Sequence, residues 1–198
     1  MPERKKTCVE VEQKFSVPVR YRTVLETAGA RLVSEKTLSD VYFDTEDLAL
    51  LRGDVWLRRR WEQVIVVVWW VTCFHCRGTQ WELKVPTGEC VRSGGGMTQY
   101  REVMGRKEVE REVAMFTMVD MDKMVEMVRV VAVRESWIMG ELSVVIDRME
   151  DDDWSVGEVE LVVNSEEEVE MARRKVQKAV TLLGFTPQEH GKVEHCLG

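Results

Sequence analysis

The residues predict an α+β fold in which a mostly antiparallel set of strands is interrupted by helices. Three observations carry this. Apolar and polar side chains alternate with a period of two in six short segments, 9–15, 40–44, 55–61, 80–85, 142–147 and 156–163, and such alternation marks strands with one buried face. One later segment carries apolar residues at helical spacing instead. A chain of 198 residues with 44% apolar and 32% charged content suits one domain, spanning 1–198, with a sizeable core.

The elements follow in order. After the first strand, Pro18 ahead of Val24, Leu25 and Ala28, closed by Gly29, predicts a short helix with a glycine stop. Strands at 40–44, 55–61 and 80–85 come next. The loop 93–96, Ser-Gly-Gly-Gly, lacks the Lys-Ser/Thr ending of a phosphate-cradling loop and is predicted to be a turn. In the segment 102–131, Val109, Val113 and Phe116, then Met121, Met124, Val125 and Val128, have spacings that predict two helices separated near Asp120. The acidic run 150–153 fits a hairpin tip between strands at 142–147 and 156–163. Ser165 with Glu168 reads as a capping box. Behind it Val169, Ala172, Val176, Ala179, Val180 and Leu183 form one apolar stripe ending at Gly184, the clearest helix in the chain.

Bulk properties exclude several functions. The formal net charge is −7 and basic residues are interleaved with acidic ones, so no nucleic-acid partner is expected. The apolar run 64–71 has eight residues where a membrane-spanning helix needs about twenty, so no membrane partner is expected either. The N-terminus, Met-Pro-Glu-Arg-Lys-Lys, has no apolar stretch behind it, which predicts a cytoplasmic protein. Five cysteines at 8, 73, 76, 90 and 196 are too irregular for a disulfide framework and are read as reduced thiols. Cys73, His75 and Cys76 lack a second ligand pair at zinc-finger spacing and are not read as a metal site.

The chemistry lies on the polar faces of the strands. Alternation puts Glu10, Glu12 and Lys14 on one face of the first strand. Trp56, Arg58 and Arg60 share a face, as do Glu82 with Lys84 and Glu158 with Glu160. Singly, each pattern fits a half-buried strand with a solvated side. Together they offer carboxylate pairs on two strands and cations on two others. If those faces converge inside a barrel, the carboxylates can hold a hard divalent cation while guanidinium and ammonium groups grip phosphate oxygens.

At these residues the chain resembles the CYTH family of triphosphate tunnel metalloenzymes. Glu10-Val-Glu12-Gln-Lys14, Tyr42-Phe-Asp-Thr45, Trp56-Leu-Arg-Arg-Arg60, Trp81-Glu-Leu-Lys84 and Val156-Gly-Glu-Val-Glu160 occur in that family's order, in wording similar to its vertebrate thiamine triphosphatases. The resemblance implies an eight-stranded antiparallel β-barrel, a triphosphate tunnel with a charged lumen and helices packed outside. It implies Mg²⁺ as cofactor, thiamine triphosphate as small-molecule substrate, hydrolysis of the terminal phosphate, and a monomer.

Carried over by motif or surroundings, Glu10, Glu12, Asp147, Glu158 and Glu160 are the expected metal carboxylates. Lys14, Arg58, Arg60, Lys84, Arg134 and Lys192 are the expected substrate contacts, with Glu158 also beside the substrate. Lys14 and Tyr42 are the expected catalytic pair, Tyr42 also fitting a packed aromatic with a wet hydroxyl. Trp56 is expected to select thiamine, because an indole face accepts a cationic thiazolium ring at roughly 0.5 to 2 kcal/mol. The same lumen would serve another CYTH triphosphatase or an adenylyl cyclase, and a damaged barrel would leave an inactive triphosphate-binding isoform.

Two segments depart from the family pattern. At about 62–79 an apolar, β-prone insertion precedes Trp81, an aggregation liability where exposed. At about 193–198 the C-terminus is short where relatives continue into a lysine-containing strand, so a truncated last strand and an open barrel edge are expected.

Overall fold

The computed structural model describes residues 8–68, 71–87 and 97–198. The loop 93–96, Cys90 and the first seven residues lie outside them, as do the side chains of Cys73, His75 and Cys76.

The chain runs β1 (Val9–Ser16), α1 (Tyr21–Thr27), β2 (Arg31–Asp44), α2 (Ala49–Arg52), β3 (Trp56–Val68), β4 (Val71–Pro86), β5 (Met97–Met104) and α3 (Arg106–Val113). It continues through β6 (Val125–Met139), β7 (Leu142–Met149), β8 (Ser155–Val163), α4 (Val169–Leu183), β9 (Thr186–Pro187) and α5 (Lys192–Leu197). The strands pair antiparallel in the order β5-β4-β3-β2-β6-β7-β8-β1, and β1 pairs in turn with β5. That last pairing closes an eight-stranded barrel. The two-residue β9 sits outside it on the end of β1.

Closure corrects the expectation of an open edge: the eight strands complete the barrel before the C-terminal segment is reached, and that segment forms α5 instead of a truncated strand. The atypical segment 62–79 is taken up as a continuation of the β3–β4 hairpin, in register from Gln63 opposite Cys76 to Val68 opposite Val71.

Outer strand faces carry the helices. α4 lays Ala172, Val176, Ala179 and Val180 over Val9, Val11, Val159 and Leu161, with Leu25 of α1 in the same cluster. On the other side α3 puts Val109 and Val113 against Leu57 and Leu83. Each fully buried valine or leucine among them contributes about 1.5 to 3 kcal/mol.

Two local readings change. The stretch 125–139 is a strand, although a helix was expected from Met121 on; Met121 to Lys123 makes one 3-10 turn and β-branched valines then take over. Glu168 accepts hydrogen bonds from the Asn164 amide and the Ser165 hydroxyl, and Ser165 makes no capping bond of its own. The α-helix therefore starts at Val169, with Gly184 in the left-handed conformation at its end.

Candidate functional site

Inside the barrel lies a cavity of about 1210 Å³. One wall is built by β1, β8 and β5, where the register sets Glu12 opposite Glu160 and Thr98, and Lys14 opposite Glu158. Glu10, Glu12 and Glu160 each present an oxygen within 4.8 Å of the others. Glu12, 2% exposed, accepts from Lys14 at 2.5 Å, Lys84 at 2.9 Å and Thr98 at 3.0 Å. Burial alone would raise its pKa, but the charges and hydrogen bonds of Lys14 and Lys84 bring it well below the usual carboxylate range.

The other two carboxylates lack such support. Glu10 Oε2 is buried without a well-formed hydrogen bond, although the Lys84 ammonium lies 2.7 Å away. Burial, the charge of Glu10, a hydrogen bond to it and the charge of Glu158 push Glu160 up to about 8. Burial and Glu10 raise Glu102 as well. Three oxygen donors held together against their own repulsion fit a hard divalent cation, which would take the place of the proton on Glu160.

The opposite wall is cationic. Arg60 forks onto Asp40 through Nε at 2.7 Å and Nη2 at 2.6 Å. Arg58 holds Glu82 through Nε at 2.7 Å and Nη2 at 2.5 Å. Arg134 forks onto Asp147 at 2.7 and 2.6 Å, and Lys192 reaches in from α5 to donate to the same carboxylate at 2.9 Å. Lys192 is thus a lumenal lysine carried on a helix.

Part of the cavity lining is aromatic. Tyr42 meets Trp56 edge to face at 6.4 Å. Trp56 donates its indole N–H to Asp54 at 3.1 Å, and the Tyr100 hydroxyl donates to the same carboxylate. The turn leading here is fixed by Asp44, which accepts from the backbone of Thr45, Leu50 and Leu51. α5 is seated by Val193 against Tyr42, Val130, Ala132 and Met149, and by His195 stacked on Trp154 at 4.2 Å.

Of the residues singled out from sequence, Glu10, Glu12, Lys14, Tyr42, Trp56, Arg58, Arg60, Lys84, Arg134, Glu158, Glu160 and Lys192 all line the cavity. Asp147 is not brought to the carboxylate trio: it lies behind the wall with both oxygens engaged by Arg134 and Lys192. Glu158 stands apart from the trio, 3.8 Å from Lys14. Tyr42 lies beside Arg58 rather than Lys14, its hydroxyl 3.5 Å from Nη1. Asp40, Thr98, Tyr100 and Glu102 were not singled out. Asp40 precedes Tyr42 by two on the same strand face, and the last three recur at every second residue of β5, so alternation marked them all.

The CYTH domain model matches residues 9–190. The chain belongs to the CYTH family. Thiamine-triphosphatases of Macaca fascicularis and Homo sapiens are each 33% identical to it over 95 residues, 48% of this chain and 34% of each relative. The match therefore spans about a third of those curated relatives. The solved structure of PH1819 protein from Pyrococcus horikoshii OT3 is similar with a TM-score of 0.67 at 18% identity, covering 95% of this chain and 98% of that one. HpAC1 from Hippeastrum, described as a candidate adenylyl cyclase with a dominant triphosphatase activity, is similar with a TM-score of 0.61 at 13% identity, covering 94% and 93%. At these identities the likeness is one of fold. No helix among the described residues is long and apolar enough to cross a membrane.

Proposed function

We propose that this CYTH protein hydrolyses the terminal phosphate of thiamine triphosphate in a divalent-metal-dependent reaction, with Mg²⁺ as the metal. The observation that carries the reading is the division of one cavity into a carboxylate trio, Glu10, Glu12 and Glu160, and a facing set of cations, Arg58, Arg60, Arg134 and Lys192. An extended polyanion needs both: cations along its length, and a metal to offset the rest of its charge.

Glu10, Glu12 and Glu160 would hold the cation, whose chemistry is to polarise phosphoryl oxygens and offset negative charge at the reacting phosphate. The remaining steps belong to the protein's own side chains. Arg58, Arg60, Arg134 and Lys192 bind phosphate oxygens and line up the chain for in-line attack by water. Lys14, with its ammonium held charged by Glu12 and Glu158 against the effect of burial, donates hydrogen bonds from the metal side. The indole of Trp56 in the cavity lining accepts the thiazolium ring. Enclosure by the barrel keeps these charges in a low-dielectric setting where they act strongly.

The lumen recognises a triphosphate more than its attachment, so tripolyphosphate and ATP are the competing substrates, and the 33% identity to thiamine-triphosphatases over 95 residues favours thiamine triphosphate. Phosphate release from the three compounds, with and without Mg²⁺, tests the proposal. Metal-dependent turnover fastest on thiamine triphosphate is expected. Turnover unaffected by chelation, or by Glu10→Gln, would overturn it.

A further inference from the structure

Two buried carboxylates stand behind the cationic wall instead of on it. Asp147 serves Arg134 and Lys192. Asp40, 1% exposed, serves three cations from two elements. Arg60 lies directly opposite it in the β2–β3 register and grips it with two hydrogen bonds at 2.7 and 2.6 Å. Arg58 Nη1 lies 3.7 Å from it, and Lys192 Nζ of α5 lies 3.5 Å from it. All three cations line the cavity, and Asp40 does not.

We propose that Asp40 is a positioning residue, a fixed anion behind the wall that aims Arg58, Arg60 and Lys192 at the phosphate chain. This rests on the triphosphate reading above. Long cationic side chains carry about 2 kcal/mol of rotamer entropy each, and three of them converging on one spot repel one another. A shared buried carboxylate removes both obstacles before a ligand arrives. The fork on Arg60 uses Nε and Nη2; Nη1 stands 3.6 Å from Glu82, beyond hydrogen-bond distance, so its N–H donors can turn to phosphate oxygens. Burial alone would raise the pKa of Asp40, but Arg58, Lys192 and Arg60 hold it far below the usual carboxylate range, so the anion persists at any working pH. The contact with Lys192 also ties α5, the last element of the cavity, to the β2–β3 pair.

A carboxylate that merely balanced charge would tolerate Asp40→Glu, whereas one that sets geometry would not, because an extra methylene pushes the cations out of line. Binding of tripolyphosphate to the full chain is measured by calorimetry without metal, and its hydrolysis with Mg²⁺. Asp40→Asn and Asp40→Glu are both expected to weaken binding by roughly tenfold or more, the loss that follows when charge-assisted hydrogen bonds are misplaced. KM should rise by more than kcat falls. Formate added to Asp40→Gly, standing in for the missing carboxylate, should restore part of the affinity. Wild-type affinity in both Asp40→Asn and Asp40→Glu would overturn the proposal, as would a loss in Asp40→Asn that Asp40→Glu repairs. Variants that fail to fold assign Asp40 to the fold and overturn it too. If wild type neither binds tripolyphosphate nor hydrolyses it with Mg²⁺, the triphosphate reading itself fails; if it binds or hydrolyses it and the variants do so alike, only the role of Asp40 does.

Discussion

Glu12 of β1 lies directly opposite Glu160 of β8 in the antiparallel register. Like charges directly opposite one another destabilise a strand pair, and here Glu10 joins them within 4.8 Å. Lys14 serves Glu12 and Lys84 is shared between Glu12 and Glu10, so the deficit of positive charge falls chiefly on Glu160.

A divalent cation should therefore stabilise the fold as well as serve the reaction. At roughly 100 times Kd, Mg²⁺ is expected to add about 2.7 kcal/mol to the unfolding free energy. Glu160→Gln keeps the shape of the side chain and removes an anionic ligand, so most of that gain should vanish. Thermal unfolding with and without Mg²⁺ measures it; an equal shift in the variant would remove Glu160 from the metal site.

Trp56 makes a separable prediction. Its indole lines the cavity, fixed by Asp54 and edge-on to Tyr42, and is not one of the carboxylate trio's partners. Trp56→Leu is expected to raise KM for thiamine triphosphate by roughly 2- to 30-fold, the equivalent of one cation–π contact. Tripolyphosphate, which has no ring, should be turned over with little change. A parallel loss on both substrates would show that Trp56 supports the barrel and not the choice of substrate.

Glu135 predicts an acid-sensitive fold. It is fully buried outside the lumen, accepting from Tyr21 at 2.7 Å, Arg22 at 2.6 Å and Trp137 at 3.2 Å, with Arg148 also in contact. Burial alone would raise its pKa, but the hydrogen bonds of Arg22 and Tyr21 and the charge of Arg148 lower it. A lowered folded-state pKa adds stability above the unfolded value, about 4.3, and that stability is lost as pH falls from there through the folded value. Glu135→Gln should cost about 1 to 3 kcal/mol at neutral pH, with the gap to wild type narrowing in acid. Denaturant titrations at neutral pH and below about pH 4 decide it, and a constant gap would refute the account.

How much was legible depended on how one-sided each strand is. β1, β3, β4 and β8 alternate charged and aliphatic residues, so their lumenal faces could be read directly. β6 could not be, because Val130, Ala132 and Arg134 share its inner face with α5 packed over two of them, and a strand apolar on both sides has no clear period. β5 carries Thr98, Tyr100 and Glu102 in alternation, but its role depends on pairing with β1 some ninety residues earlier in the chain, and no local pattern encodes such a partner. Missing β5 and β6 also obscured how the barrel closes. Asp40 escaped for another reason: in β2, with Glu35, Lys36, Ser39 and Asp44 among its residues, one more acid shows its purpose only when the cations of β3 and α5 are seen around it.

Phe15 and Gly157 supply the last prediction, and it concerns the fold alone. They lie opposite each other across β1 and β8. The Phe15 ring lies over the glycine, stacked on Phe185 at 4.4 Å. A Cβ added at Gly157 would come within 2.1 Å of ring carbon Cζ, with two further ring carbons inside 3.0 Å. The ring cannot simply swing aside, since Phe15 is fully buried in the cluster beneath α4. Gly157→Ala should thus destabilise the barrel by about 1 to 3 kcal/mol through overpacking. Pairing it with Phe15→Leu, which removes the ring, should recover part of the loss relative to Phe15→Leu alone. Strictly additive losses in the double variant, measured by denaturant unfolding, would show that the two residues do not compete for the same space.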